Sequence, residues 1–125
     1  MRELQFRAWH FKQCKMREVA MLYTMVKAVL VRDGDALCSC LFSEVELMQY
    51  TGLTDKQGRF IYEGDILGNA WGKYRVYWDR GGFIAESEEG KRFDLYDLNP
   101  TELAVIGNMY ETPALWKRNH AQLPV

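Results

Sequence analysis

Polar and apolar residues alternate through much of this chain. In Leu4-Gln5-Phe6-Arg7-Ala8-Trp9, Leu4, Phe6 and Ala8 fall on one side and Gln5, Arg7 and Trp9 on the other, the period of two that a half-buried strand requires. Phe11 to Lys15 is short and polar and predicts the turn that follows. The pattern returns at Lys73 to Asp79, where Tyr74, Val76 and Trp78 oppose Lys73, Arg75 and Tyr77. Arg80-Gly81-Gly82 then predicts a tight turn into Phe83-Ile84-Ala85, completing a hairpin. Glu86 to Arg92 reads as a charged turn, and Phe93 with Leu95 as the start of another strand. Asn99-Pro100 ends that strand, because proline has no N–H to give to a ladder. Leu103 to Met109 reads as the last strand.

Met16 to Val31 carries apolar residues at both helical and strand spacings and contains good helix formers. Two features favour strands: Val26 to Val31 is rich in β-branched residues, and Arg32-Asp33-Gly34-Asp35 is a turn signal before a second apolar run, Ala36 to Phe42. A hairpin is therefore expected here. Ser43-Glu44 predicts a short capped turn. Asp55-Lys56-Gln57-Gly58 has the Asp and Gly that a type I turn favours at its first and fourth positions. Gly64 is an expected site of positive φ, and Thr112-Pro113 an expected start of a helical turn with Pro113 at its first position. Short strands at hairpin spacing, with glycine-rich turns and no room for crossover helices, predict a small twisted barrel in the second half, for which about five strands suffice.

The expected organisation is one mainly β domain: a β-rich part over residues 1–46, a junction over 47–61, a barrel over 62–112 packed on the first part, and a tail over 113–125. At 125 residues, 48% apolar and 26% charged, the chain has the size and composition to bury one core without a disulfide or metal staple. A net charge of -1 and a pI near 6.1 exclude a global positive field, so nucleic acid or an anionic membrane would need a local patch. Three cysteines, Cys14, Cys38 and Cys40, suit reduced thiols in a cytoplasm better than a disulfide framework. Neither a basic-then-apolar leader nor an uninterrupted run of about 20 apolar residues is present, which predicts no export signal and no membrane span.

Three longer passages, MRELQFRAWH, ELMQYTGLTDKQGRFIYEGDIL and ELAVIGNMYETPALW, occur in that order. Together they resemble the YopX family of bacteriophage and prophage proteins. The resemblance implies a phage or prophage protein of unknown biochemical function, mainly β, with a second half similar to an SH3-like barrel. It supplies no catalytic residues to transfer.

The candidate chemistry is sparse. His10, Cys14, Cys38 and Cys40 are the only set with zinc-like donors, but they lack the Cys-x2-Cys spacing usual in structural sites. No metal or cofactor is expected. A cysteine nucleophile would need a base from His10 or His120, and no Gly-x-Ser-x-Gly elbow surrounds Ser39, Ser43 or Ser87. Carboxylate groupings occur at Asp94 with Asp97, at Glu86 with Glu88 and Glu89, and at Glu63 with Asp65. Solvation explains the glutamates in the predicted turn, and local backbone bonding explains Asp65. These residues predict no enzyme. The stronger alternative is a nucleic-acid interface: Lys73, Arg75 and Tyr77 share a hairpin face, Arg80 adjoins it, and Trp9 beside Arg7 repeats the basic and aromatic pairing that can track phosphates and stack bases. Six methionines and seventeen aromatics (four Trp, seven Tyr, six Phe) are many for one small core. The leading expectation is accordingly a non-catalytic accessory protein that works by protein contact as a homo-oligomer.

Overall fold

A computed structural model describes residues 3–116; the expectations for residues 117–125 of the tail, His120 among them, lie outside the described residues. The described chain is mainly β, with eleven strands and no α-helix. The strands are β1 (Phe6–His10), β2 (Lys15–Tyr23), β3 (Ala28–Asp33), β4 (Ala36–Leu41), β5 (Val45–Thr54), β6 (Phe60–Tyr62), β7 (Asp65–Asn69), β8 (Gly72–Asp79), β9 (Gly82–Ser87), β10 (Arg92–Asp94) and β11 (Ala104–Asn108). Short 3-10 turns lie at Phe42–Glu44, Tyr96–Leu98, Pro100–Glu102 and Pro113–Leu115. The strands form two antiparallel sheets, one ordered β4-β3-β2-β1-β5-β6 and the other β10-β9-β8-β7-β11. The chain divides between Tyr50 and Thr51 into two compact units.

The first unit contains β1 to β4 and the first half of β5. Ala8, Val29, Val31, Cys40 and Val45 are its buried apolar core, with Val19, Leu22, Cys38, Phe42 and Leu47 packed against them. Met16 to Phe42 is extended, as expected, and holds three strands before its 3-10 turn. The ambiguity of its pattern has a physical cause. The register of β2 on β3 shifts between Val19 and Met21, and an extra residue in one strand breaks strict alternation. None of β2 is fully buried, so its apolar residues trace no single face. Cys38 and Cys40, two residues apart on β4, both turn to the core, as strand geometry dictates.

The second unit holds β6 to β11 and a core of Ile61, Leu67, Val76, Ala85, Leu95 and Leu103. Tyr74, Phe83 and Val105 pack against that core, which accounts for the alternation seen in β8. Trp78, at the far end of β8, is half exposed and rests edge-on against Phe83 with ring centres 4.8 Å apart. β7 to β10 follow one another as neighbours, and β11 returns to pair with β7. β10 and β11 remain at the two edges of this order, and no closed barrel is detected among the described residues. Two further stretches differ from the sequence expectation: the strand at Phe93 ends at Asp94, before Leu95 and well before Asn99-Pro100, and Glu86 belongs to β9, not to the following turn, and is buried. The turn proper starts at Ser87, whose N–H and carbonyl bond Lys91 and Gly90.

Candidate functional site

The five residues of the predicted nucleic-acid face fall on two strands and a turn. Lys73, Arg75 and Tyr77 share a side of β8, while Arg80 lies in the turn after it and Trp9 stands on β1 of the other unit. Lys73 extends its Nζ to the carbonyl of Leu115 at 2.9 Å. Arg75 donates from Nε to Oε1 of Glu86 at 2.7 Å, its cross-strand partner in the register. The Arg75 guanidinium also lies 4.9 Å from the Tyr77 ring centre, and that of Arg92 lies 5.7 Å away. Arg92 in turn pairs with Asp79.

On this face the two arginines are paired with carboxylates, and Lys73 is held by a backbone carbonyl. Each arginine on it has a carboxylate within contact, and Tyr77 supplies an aromatic plate to both. The sequence reading found Arg75 and Tyr77 but missed Glu86, Asp79 and Arg92. Glu86 was hidden by its place in a charged run, and Asp79 and Arg92 are thirteen residues apart, beyond any local pattern.

The polar side chains of the motif regions converge on backbone instead. Asp55 opens the turn predicted from its sequence, and the Gly58 N–H bonds its carbonyl at 3.0 Å. Its carboxylate does more than cap that turn. Oδ1 accepts the N–H groups of Gln57 and Arg59 at 2.9 and 2.8 Å. Oδ2 accepts Nε of Arg59 at 3.1 Å and the N–H of Val105 at 2.9 Å. One buried carboxylate thus ties a turn to β11, fifty residues later.

Burial alone would push the Asp55 carboxyl up, but the N–H groups of Val105, Arg59 and Gln57 and the Arg59 guanidinium outweigh it and hold the group below the usual carboxylate value. Since the folded-state value lies below the unfolded one, the stabilisation is complete above the usual carboxylate range and is lost as pH falls through the depressed value. We expect the denaturant midpoint to fall between about pH 5 and pH 2, and to fall less steeply in Asp55→Asn. Equilibrium unfolding curves across that range check it.

Asp65 and Asn108 are the second knot. Asp65, almost fully buried, accepts the Tyr62 N–H at 2.8 Å and lies opposite Asn108 in the β7–β11 register. Gly64 between them and the preceding turn adopts φ +85°, as the sequence predicts, and exchanges bonds with Val76 and Met109. Asn108 accepts the N–H groups of Tyr110 and Glu111 at Oδ1 and donates from Nδ2 to Glu111. Its N–H bonds Oγ1 of Thr112, and that hydroxyl donates back to the Asn108 carbonyl. This arrangement folds the chain after β11 back on itself. It orders a loop; it presents no convergent acid and base.

The remaining candidates are dispersed. Nδ1 of His10 accepts the Gln13 N–H at 3.1 Å, and Cys14 donates to the Phe11 carbonyl. Cys38 donates to Asp33, and Asp94 accepts the Tyr96 N–H. Among the described residues, no three His, Cys, Asp or Glu side chains gather as a metal site would need.

Comparison with known proteins adds three findings. The sequence matches the model of a family described as YopX protein over residues 5–117. A search of curated proteins finds no match. Among solved structures, the crystal structure of protein EF1440 from Enterococcus faecalis is similar, with a TM-score of 0.65 at 24% identity, covering 94% of this chain and 100% of that one. At that identity the likeness speaks to the fold.

Proposed function

Because this chain belongs to the YopX family, we propose that it is a phage or prophage accessory protein acting in the bacterial cytoplasm by protein contact, as a homo-oligomer and without catalysis. The observation that carries this reading is where its large apolar side chains lie. On the first unit Met21, Tyr23, Met25, Val26, Leu37 and Leu41 are exposed, Met25 by 96%. On the second unit Trp71 and Tyr96 are exposed as well, by 90% and 75%, and large apolar side chains left in solvent mark contact sites when they lie in contiguous patches. The polar side chains of the motifs, by contrast, are engaged with backbone. Sedimentation velocity over a wide concentration range tests the proposal: we expect a species heavier than the 14.6 kDa chain, and a monomer at every concentration would overturn it.

Within this reading the second unit is SH3-like. Its support is the strand order, in which the last strand returns to the first and 3-10 turns precede it.

The nucleic-acid reading through Trp9, Lys73, Arg75, Tyr77 and Arg80 receives less support, because Arg75 is already matched by Glu86 and Lys73 is engaged with a carbonyl, whereas phosphate binding draws on cations free to pair. Fluorescence anisotropy with single-stranded and duplex DNA is expected to give no salt-dependent binding tighter than about 10⁻⁴ M. A steep salt dependence lost in Arg75→Ala would reinstate that reading.

A further inference from the structure

We infer that Cys38 and Cys40 form a two-thiolate site for one soft monovalent metal ion of the copper(I) class, on the core side of β4. The inference goes beyond the proposed accessory reading and does not depend on the oligomeric state. β4 is in unbroken register with β3, with Val31 opposite Cys38 and Val29 opposite Cys40. Side chains two residues apart on a strand share a face, and here that face is the one turned to the first unit's core. Cys40 is buried and Cys38 only partly so, and both thiols are free. The pair is therefore open to solvent at its Cys38 end.

The spacing selects what the pair can hold. Residues two apart stand about 6.4 to 6.8 Å from each other along a strand, whereas a disulfide brings its Cβ atoms to about 3.5 to 4.5 Å. A direct bond between the sulfurs would break the strand, but an ion between them closes the gap once both Cβ–Sγ bonds lean inwards. Zinc asks for four donors, and among the described residues no group of three His, Cys, Asp or Glu forms. Thiolates select soft ions such as copper(I), and a monovalent ion with a filled d shell takes two of them in a line. The surroundings suit that charge. Cys38 donates to Oδ2 of Asp33 at 3.8 Å, a long contact that rotation about χ1 exchanges for the ion. The other oxygen of Asp33 meets Nη1 of Arg17 at 3.1 Å, and the positive charge of Arg17 also acts on the Cys40 thiol. Binding one ion replaces two thiol protons, which leave to solvent past the part-exposed Asp33; no electron is transferred. The two thiolates and the ion together carry one negative charge, and Arg17 is the cation in range to balance it. Glu44, whose charge also reaches Cys40, is committed to the Leu41 N–H.

Anaerobic titration of the full Cys14→Ser chain with copper(I), against the chromophoric chelator bicinchoninate, tests the site. That background removes the exposed thiol and keeps a hydroxyl donor for the Phe11 carbonyl. One copper(I) per chain is expected to be drawn from the chelator, and X-ray absorption of the isolated complex should show two sulfur ligands. Adding Cys38→Ser, at the partly buried position, is expected to weaken binding by about a hundredfold or more, beyond the roughly 10- to 100-fold of an outer-shell loss, with unchanged circular dichroism. No uptake in competition with the chelator would overturn the site. Equal affinity in the Cys38→Ser variant, one copper(I) shared between two chains, or more than two ligands on the ion would overturn it as well.

Discussion

Asp55→Asn is expected to lower the unfolding free energy by about 2 to 4 kcal/mol, the cost of leaving two donors without an acceptor at about 1 to 3 kcal/mol each. The substitution keeps shape and changes polarity. Asp55 holds two N–H donors on each carboxylate oxygen, so an amide in either orientation points its NH2 at two donors and leaves them unsatisfied. In a chain of this size the melting temperature should fall by roughly 10 °C or more. Asp94→Asn, at an exposed site with a bond to the Tyr96 N–H, should change stability by less than about 0.5 kcal/mol. Thermal and urea unfolding of the two variants check the contrast, and equal effects would mean that Asp55 does no more than cap a local turn.

Gly107→Ala is expected to be the next largest effect, at about 2 to 3 kcal/mol. A Cβ there would overlap Oγ1 of Thr112 and stand 2.7 Å from Cδ1 of Leu115. Leu115 can rotate its side-chain end away. Thr112 is less free, because its hydroxyl is held on both sides by the backbone of Asn108. Relief of the overlap must either break that knot or shift β11 at its register irregularity. Gly72→Ala, where a Cβ would meet nothing within 4 Å, is expected to be near neutral. Urea midpoints should separate the two glycines by at least 1 kcal/mol.

Which features could be read from the sequence follows from how local their causes are. The β8–β9 hairpin was plain because strict alternation and Arg80-Gly81-Gly82 lie within a dozen residues. The turn at Asp55, the positive φ of Gly64 and the turn at Pro113 were equally local. Residues 16–42 were ambiguous because a shifted register and an unburied β2 blur the period that distinguishes strand from helix. Glu86 was misassigned because charge near a Gly-rich turn suggests solvent, and only the cross-strand Arg75 explains its burial. The strand order of the second unit was out of reach for a related reason: it depends on β11 finding β7, a pairing between distant segments. For the candidate interface, the sequence indicated which residues are basic or aromatic and share a strand face. It did not indicate that Asp79 and Glu86 balance them.

The same distinction sharpens the interpretation of the motif regions. Asp55 and Asn108 look like candidate functional groups in isolation. Their partners identify them as organisers of backbone, which moves the expected working surface away from these polar side chains and onto exposed apolar residues such as Met25 and Trp71.

Amide hydrogen exchange on the native protein tests most directly whether the motif side chains are architectural. The amides held by Asp55 (Gln57, Arg59 and Val105), by Asp65 (Tyr62) and by Asn108 (Tyr110 and Glu111) are predicted to exchange only through global opening, with protection matching the free energy of unfolding. Exchange of these amides at the rate of the exposed Met25–Val26 turn would contradict the account.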